Sequence, residues 1–352
     1  MDNNNANPIR VGIIGDGFMK PSYFKEALES EMPGRAFTIE TMELGWPIER
    51  NITKVDPTLP IGEFVGRPEQ FYDFISGCEI LICHLAPIIR DTFEASPDLK
   101  FIAVSRGGPI NIDMAAAKDF GVKVSNSPGR NASAVAEFAM ASMLAEIRNL
   151  TRGHVALMNG EYRGDLYHEE ITGRELCEMT VGVIGYGEVG SRVVKMLKPF
   201  GCKIIVCDPY KQLTREDADD GVTTADLDTL LAESDVVTLH PRVTAETRGM
   251  MSAEKFALMR DGSYFVNTAR GPLVDYNALY EALTSGKLRG CALDTFEKEP
   301  PPADWPLLKL QNVTLSPHIA GASRFTIRKA ASQIAGDVRR FLDKEALRYP
   351  CN

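Results

Sequence analysis

The segment Gly185-Tyr186-Gly187-Glu188-Val189-Gly190 constrains this chain more than any other. It follows the apolar run Val181 to Ile184 and opens a stretch in which Val189, Val193, Leu197 and Phe200 fall on one stripe, so the sequence predicts strand, tight turn and helix. The glycines let the backbone turn sharply and come close to a pyrophosphate, whose charge then rests on unpaired N–H groups and the positive end of the helix. Side chains at 185 or 187 would block that approach. A second strand, Ile204 to Cys207, ends in Asp208 about 20 residues further on, where an acid that binds ribose hydroxyls belongs. The cofactor expected is NAD, since an acid at 208 repels the extra phosphate of NADP, although Lys211 nearby works against that preference.

Around this motif, short β-branched runs alternate with helical stretches. Arg10 to Ile14, Phe37 to Glu40, Ile80 to Cys83, Phe101 to Val104 and Val122 to Val124 form one series of strands. Val181 to Ile184, Ile204 to Cys207, Val236 to Leu239, Tyr264 to Val266, Gly290 to Leu293 and Val313 to Leu315 form another. Nearly continuous apolar runs are what parallel strands buried on both faces require. The class expected is therefore α/β, with two doubly wound parallel-sheet units separated by an alanine-rich interdomain or interface helix from Ala132 to Leu150. The last helical segment, Thr326 to Leu342, suits either unit. Gly15-Asp16-Gly17 follows the first strand, but Lys20 stands where a third glycine should, and it is read as an ordinary strand-to-helix turn.

Composition narrows the function. A charge of -9 from 48 acidic and 39 basic residues offers no bulk attraction to nucleic acid or to an anionic membrane. No run reaches the roughly 18 uninterrupted apolar residues of a membrane span. Met1 to Arg10 is Asn-rich and is expected to be a loose tail rather than a targeting segment. Seven scattered cysteines without a CxxC pair read as structural thiols of a reducing cytoplasm, and the five histidines show no zinc-ligand spacing with them.

Three further motifs follow in order: Val266-Asn267-Thr268-Ala269-Arg270-Gly271, then Ala292-Leu293-Asp294-Thr295-Phe296-Glu297-Lys298-Glu299-Pro300, then Ser316-Pro317-His318-Ile319-Ala320-Gly321. Upstream lie Asn126-Ser127-Pro128-Gly129-Arg130-Asn131, Ala134-Val135-Ala136-Glu137 and, between the two groups, Thr247-Arg248-Gly249. Together these resemble the D-isomer-specific 2-hydroxyacid dehydrogenases, in a short phosphoglycerate dehydrogenase-like form without the regulatory domain. The resemblance implies a Rossmann cofactor domain over 129–318, inserted into a flavodoxin-like substrate domain made of 1–128 and 319–352. It also implies a cytoplasmic homodimer, and cofactor contacts from His240, Thr247, Thr268, Ala269, Asp294 and Gly321 besides the turn at 185–190 and Asp208.

The chemistry of the site fits its residue types. Arg270, just past a strand, offers a fixed fork of donors for a carboxylate. His318 can exchange a proton near neutral pH, which alcohol oxidation needs while hydride leaves the same carbon. Glu299 is its expected partner, fixing the tautomer and orienting the ring. The family's substrate-carboxylate loop corresponds to Ser105-Arg106-Gly107-Gly108-Pro109, where the amides of Gly107 and Gly108 form an anion-binding concavity beside Arg106. This loop lacks one expected glycine, and Pro109 removes a donor. Arg242 stands where proline is commoner, and stacking on adenine, contact with substrate and a solvated charge are all open to it. Arg106 and Arg130 are either substrate contacts or structural partners of Asp113 and Glu137. The reaction expected is interconversion of a D-2-hydroxyacid and its 2-oxoacid. The alternatives are an NADH-sensing corepressor-like scaffold and a formate dehydrogenase, the latter disfavoured because Glu299 stands where a glutamine would be needed.

Overall fold

Apolar side chains on both faces of the inner strands require both sheets of this chain to be covered on both sides. The computed structural model describes residues 8–46 and 58–352, in two units: residues up to Arg130 together with Ser323–Asn352, and Asn131–Ala322.

In the first unit, β1 (Ile9–Asp16), β2 (Phe37–Leu44), β3 (Ile80–Cys83), β4 (Phe101–Val104) and β5 (Lys123–Ser125) pair in parallel in the order β2-β1-β3-β4-β5, the flavodoxin-like arrangement. Alternation along the strands divides the core: Ile14, Leu81, Cys83, Ile102 and Val104 face one way, and Val11, Ile13, Ile80, Ile82, Phe101 and Ala103 the other. The helix Arg324–Leu342 lies against the helix Pro21–Glu31 and β4, so the last segment belongs to this unit. It docks through Ala330, Ile334 and Val338, all buried, and Phe341 stacks on Phe101 with ring centroids 4.6 Å apart. Burying an aliphatic or aromatic side chain contributes roughly 1.5–3 kcal/mol, so this face decides where the helix sits. Its first turn is closed by Ser323, whose hydroxyl accepts from the Thr326 amide at 3.0 Å. Of the tail expected over Met1 to Arg10, residues 1–7 lie outside the described residues, and Ile9 and Arg10 already belong to β1.

The second unit contains β6 (Thr180–Ile184), β7 (Lys203–Cys207), β8 (Thr223–Thr224), β9 (Val236–Leu239), β10 (Ser263–Asn267), β11 (Leu288–Leu293) and β12 (Val313–Leu315). They are parallel in the order β12-β11-β10-β9-β6-β7-β8, the Rossmann arrangement with an added edge strand. The order reverses between β6 and β9, which leaves a crevice at the carboxyl ends of those strands. The helix Ala132–Ile147 is not a separator. It covers one face of this sheet, where Ala136, Ala139, Met140, Met143 and Ile147 join the core with Val181, Val183 and Val266. It stops because Asn149 turns left-handed at φ 56°, and a second helix runs from Leu150 to Met158. The stripe expected through Phe200 is also shorter. The helix Gly190–Leu197 buries Val193, Val194 and Leu197, then tightens into a 3-10 turn before Gly201 at φ 71°, and Phe200 is left exposed. Among the described residues no helix is long and apolar enough to cross a membrane.

Candidate active site

Each glycine of the turn after β6 fills a distinct steric role in the second unit. Gly185 has φ 89°, and a Cβ there would lie 2.9 Å from the His240 carbonyl carbon and the Pro241 nitrogen. At Gly190 it would lie 1.9 Å from the Gly185 oxygen, so only glycine lets the helix start this close to the strand. Around Gly187 nothing lies within 4 Å, which leaves the backbone open to a ligand. Tyr186 turns inward, its ring buried and its hydroxyl donating to Asp217, so only its backbone can face that opening. Glu188 is exposed and pairs with Arg192 at 2.8 Å, while Val189 is half-buried.

Asp208, at the end of β7, accepts from the amides of Tyr186 (2.7 Å), Tyr210 (2.8 Å) and Lys211 (3.0 Å). A carboxylate has about four acceptor positions, so capacity remains for a hydroxyl. His240 follows β9. Its Nε2 lies 3.1 Å from Thr238 Oγ1, its Nδ1 is buried without a partner among the described residues, and burial holds its pKa near 3, leaving the ring neutral. The Thr268 hydroxyl after β10 is likewise buried and unpartnered. Glycines in these three roles, an acid with spare capacity and two orphaned polar atoms fit a dinucleotide along this edge. Thr247 donates to the Arg242 carbonyl at 2.6 Å, and the Arg242 side chain is exposed.

The next three strand ends carry Arg270, Glu299 and His318. After β10, the Asn267 side chain accepts from the Ala269 amide and donates to the Arg270 carbonyl, both at 3.0 Å, which shapes the turn that exposes Arg270. A Cβ at Gly271 would lie 1.9 Å from the Phe296 oxygen, so the loops after β10 and β11 touch backbone to backbone. In the latter loop, Glu299 accepts from the Phe296 amide at 2.9 Å with one oxygen and faces His318 Nδ1 at 2.7 Å with the other. The Glu299 side chain is 7% exposed and that of His318 38%, so the carboxylate is hidden and the imidazole reachable. With Nδ1–H donated to Glu299, Nε2 is the nitrogen left for a substrate. His318 itself is held left-handed at φ 54°. Asp294 holds its loop: one oxygen accepts from Ser316 Oγ (2.6 Å) and the Ile319 amide (2.9 Å), the other from the Ala320 amide (2.9 Å). A Cβ at Gly321 would meet Asn131 Nδ2 at 2.5 Å. The structure thus brings Glu299 and His318 into contact, ties the Arg270 turn to the Glu299 loop, and shows Asp294 anchoring the His318 loop, a role the sequence does not announce.

In the first unit, Arg106 is buried and paired with Glu63. Gly107 is exposed, and its carbonyl accepts from Asn126 Nδ2 at 2.9 Å. Arg130 donates to His84 Nε2 at 3.2 Å. Asp113 instead caps the helix Met114–Asp119 by accepting from the Ala116 amide, and Glu137 is exposed. Sequence reading missed the His84 contact, because nothing local links residues 84 and 130. All seven cysteines are free.

A reachable imidazole against a hidden carboxylate, and an exposed arginine, lie along the edge that carries the dinucleotide-type turn, the make-up of an NAD-dependent oxidoreductase. The family model for the D-isomer specific 2-hydroxyacid dehydrogenase NAD binding domain matches residues 140–320, and the chain belongs to this family. A hydroxypyruvate reductase of Thermotoga maritima is 39% identical over 269 residues, covering 76% of this chain and 85% of that one. A glyoxylate reductase of Korarchaeum cryptofilum is 37% identical over 300 residues, with 83% and 90% covered. Among solved structures, a D-2-hydroxyisocaproate dehydrogenase superposes with a TM-score of 0.79 at 27% identity, over 96% of this chain and 99% of that one.

Proposed function

We propose that this NAD-dependent dehydrogenase interconverts a small polar D-2-hydroxyacid and its 2-oxoacid, with Arg270, Glu299 and His318 as its reactive groups. The observation that carries this reading is the 2.7 Å contact between the hidden Glu299 carboxylate and the reachable His318 ring. In the oxidative direction His318 Nε2 takes the hydroxyl proton, and Glu299 stabilises the imidazolium that results. Arg270 grips the substrate carboxylate with two donors. Bound NAD supplies the hydride acceptor, and the 185–190 turn with Asp208 would hold it. In reduction the same His318 returns the proton. In the first unit, Arg106 and the amides of Gly107 and Gly108 are the proposed substrate contacts.

Neither alternative is favoured. The relatives are named as reductases of 2-oxoacids, and the histidine partner is a glutamate, not a glutamine. A cytoplasmic homodimer is part of the same proposal, supported by the exposed apolar residues Leu150, Val155, Leu157 and Met158 on one short helix. Light scattering behind size exclusion tests the dimer. The reaction is tested by a panel of 2-oxoacids with NADH, followed at the nicotinamide absorbance. NADH binding without turnover of any member would overturn the reading in favour of a sensor.

A further inference from the structure

Strand order decides what spans the dinucleotide crevice of the second unit. β6 lies between β9 and β7, and all three are parallel, so the loops that leave them stand side by side at one edge with the glycine turn in the middle. The crevice opens outside the carboxyl ends where the order reverses, between β6 and β9. The loop after β7 carries Asp208, Pro209 and Tyr210, and the loop after β9 carries His240 to Thr247. Across them, the Tyr210 hydroxyl donates to Glu246 Oε2 at 2.6 Å. Neighbouring strands lie about 4.8 Å apart, so this bond joins loops whose strands are about 10 Å apart, with β6 between them. One footing of the bridge therefore stands on each side of the crevice.

Both footings are fixed. Asp208 accepts from the amides of Tyr210 and Lys211 with one oxygen and from that of Tyr186 with the other, so Tyr210 springs from the acid that is placed to meet a ribose. Pro209 sets the backbone angle at that point. On the other side, Thr244 and Thr247 close a turn on each other: the Thr244 amide donates to Thr247 Oγ1 at 2.8 Å, the Thr247 amide to Thr244 Oγ1 at 3.2 Å, and the Arg248 amide to the Thr244 carbonyl at 3.1 Å. At its base this loop abuts the glycine turn, since a Cβ at Gly185 would lie 2.9 Å from the Pro241 nitrogen. The link between the footings is light by comparison. Tyr210 is 76% exposed and Glu246 is exposed too, so the bond can break and reform on the fast timescale of surface side chains without disturbing the core. Glu246 has Arg242 and Arg248 close by in sequence, yet it pairs with neither among the described residues and meets the phenol across the crevice.

We propose that Tyr210 and Glu246 form a clasp across the crevice at its Asp208 end, a gate that sets how fast NAD and NADH enter and leave. The proposal rests on the reading that residues 185–190 and Asp208 hold the dinucleotide. A bridge that must open for passage slows both directions by the same factor and favours neither end state, so it changes rates and leaves affinity alone. A side chain that simply touched the cofactor would act otherwise. Its loss would speed release, leave entry nearly as it was and weaken binding.

The test is stopped-flow fluorescence of NADH with the full-length protein, association being followed on mixing and dissociation on displacement by excess NAD. Tyr210→Phe removes the donor and Glu246→Ala the acceptor, and because both side chains are exposed neither change threatens the fold. The measurements are made in about 0.5 M salt, which screens the lost charge of Glu246. Each variant should raise the association and dissociation rate constants together by roughly 5-fold, the size expected for one exposed hydrogen bond to a charged group, with Kd within about twofold of wild type. Tyr210→Phe combined with Glu246→Ala should match either change alone, since both break the same bond. Unchanged rates, a rise in dissociation alone with weaker affinity, or effects that add in the double variant would overturn the clasp. Gly187→Val tests the underlying reading: it fills the open space at the turn and should abolish NADH binding. If it does so while the clasp variants keep wild-type rates, the clasp fails and the dinucleotide reading stands. If Gly187→Val binds NADH as the wild type does, the turn is not the dinucleotide site and the clasp falls with it.

Discussion

Asparagine at position 294 would keep the volume of the aspartate and remove one acceptor from a group that uses both. The Asp294 carboxylate accepts from Ser316 Oγ at 2.6 Å and from the amides of Ile319 and Ala320 at 2.9 Å, and it is 1% exposed. Whichever way the new amide turns, its NH2 faces at least one buried backbone N–H, donor against donor. Hydrogen bonds to a charged group contribute about 1.5–3 kcal/mol each, so losing one and opposing a donor should cost about 2–4 kcal/mol. For a unit of this size that is a fall in Tm of roughly 4–16 °C. The same three contacts flank His318, and a misplacement of about 1 Å at a reacting group costs roughly 100-fold in rate. Asp294→Asn should therefore lower kcat by about that factor while leaving NADH affinity within about threefold of wild type, as expected of a positioning residue. Steady-state kinetics with NADH fluorescence titration and a melting curve check this. If NADH affinity collapses while kcat at saturation holds, Asp294 serves the cofactor and the argument from geometry is wrong.

His318→Ala should lower turnover by roughly 10² to 10⁴ with NADH affinity retained, the range for losing a general acid or base; unchanged kcat would remove His318 from the reaction. Asp208→Ala should erode the preference for NADH over NADPH, measured as the ratio of their kcat/KM values, and a wild type that already prefers NADPH would contradict the assignment. Gly271→Ala puts a methyl 1.9 Å from the Phe296 carbonyl oxygen, so it should destabilise by at least about 1–3 kcal/mol and weaken 2-oxoacid binding by displacing Arg270; a wild-type urea midpoint would refute that contact. His84 and His240 have native pKa values near 4 and 3, below the 6.5 of the unfolded chain. Between about pH 4 and 6.5 the unfolded state binds more protons, so stability should fall as pH drops, by about 1.4 kcal/mol per unit for each ring. Urea midpoints between pH 7 and 5 measure this, and a slope that His240→Gln leaves unchanged would exclude His240 as a source.

Much of the fold is legible because a sheet covered on both faces writes itself as continuous apolar runs. Ile80–Cys83, Phe101–Val104, Val236–Leu239 and Val313–Leu315 have the same bounds in the sequence reading and in the structure. Two exposed residues, Thr223–Thr224, form an edge strand with no hydropathic signal, and so β8 is invisible to that reasoning. The final helix is ambiguous in sequence because its small apolar face would fit either sheet; only its contact with Pro21–Glu31 decides. The proposed reactive groups Arg270, Glu299 and His318 stand past strand ends and are legible as motifs. The contacts that hold side chains in place are not. Asp294 reads as one more strand-end acid, and the 68-residue separation of Asp16 and His84 hides a pair that the imperfect glycine motif gives no reason to seek.

The first unit is assembled from both ends of the chain, and this sets an order of events during synthesis. Asn131–Ala322 is contiguous and has its complete sheet as soon as β12 leaves the ribosome. β1 to β5, although made earlier, must wait for Arg324–Leu342 to cover one face and for Cys351 to donate its amide to the Val124 carbonyl at 2.8 Å. A nascent chain therefore spends the time needed to translate about half its length with the apolar side of Val11, Ile13, Ile80 and Ile82 unsealed, a window in which a chaperone or an aggregate competes for the surface that the last helix eventually closes.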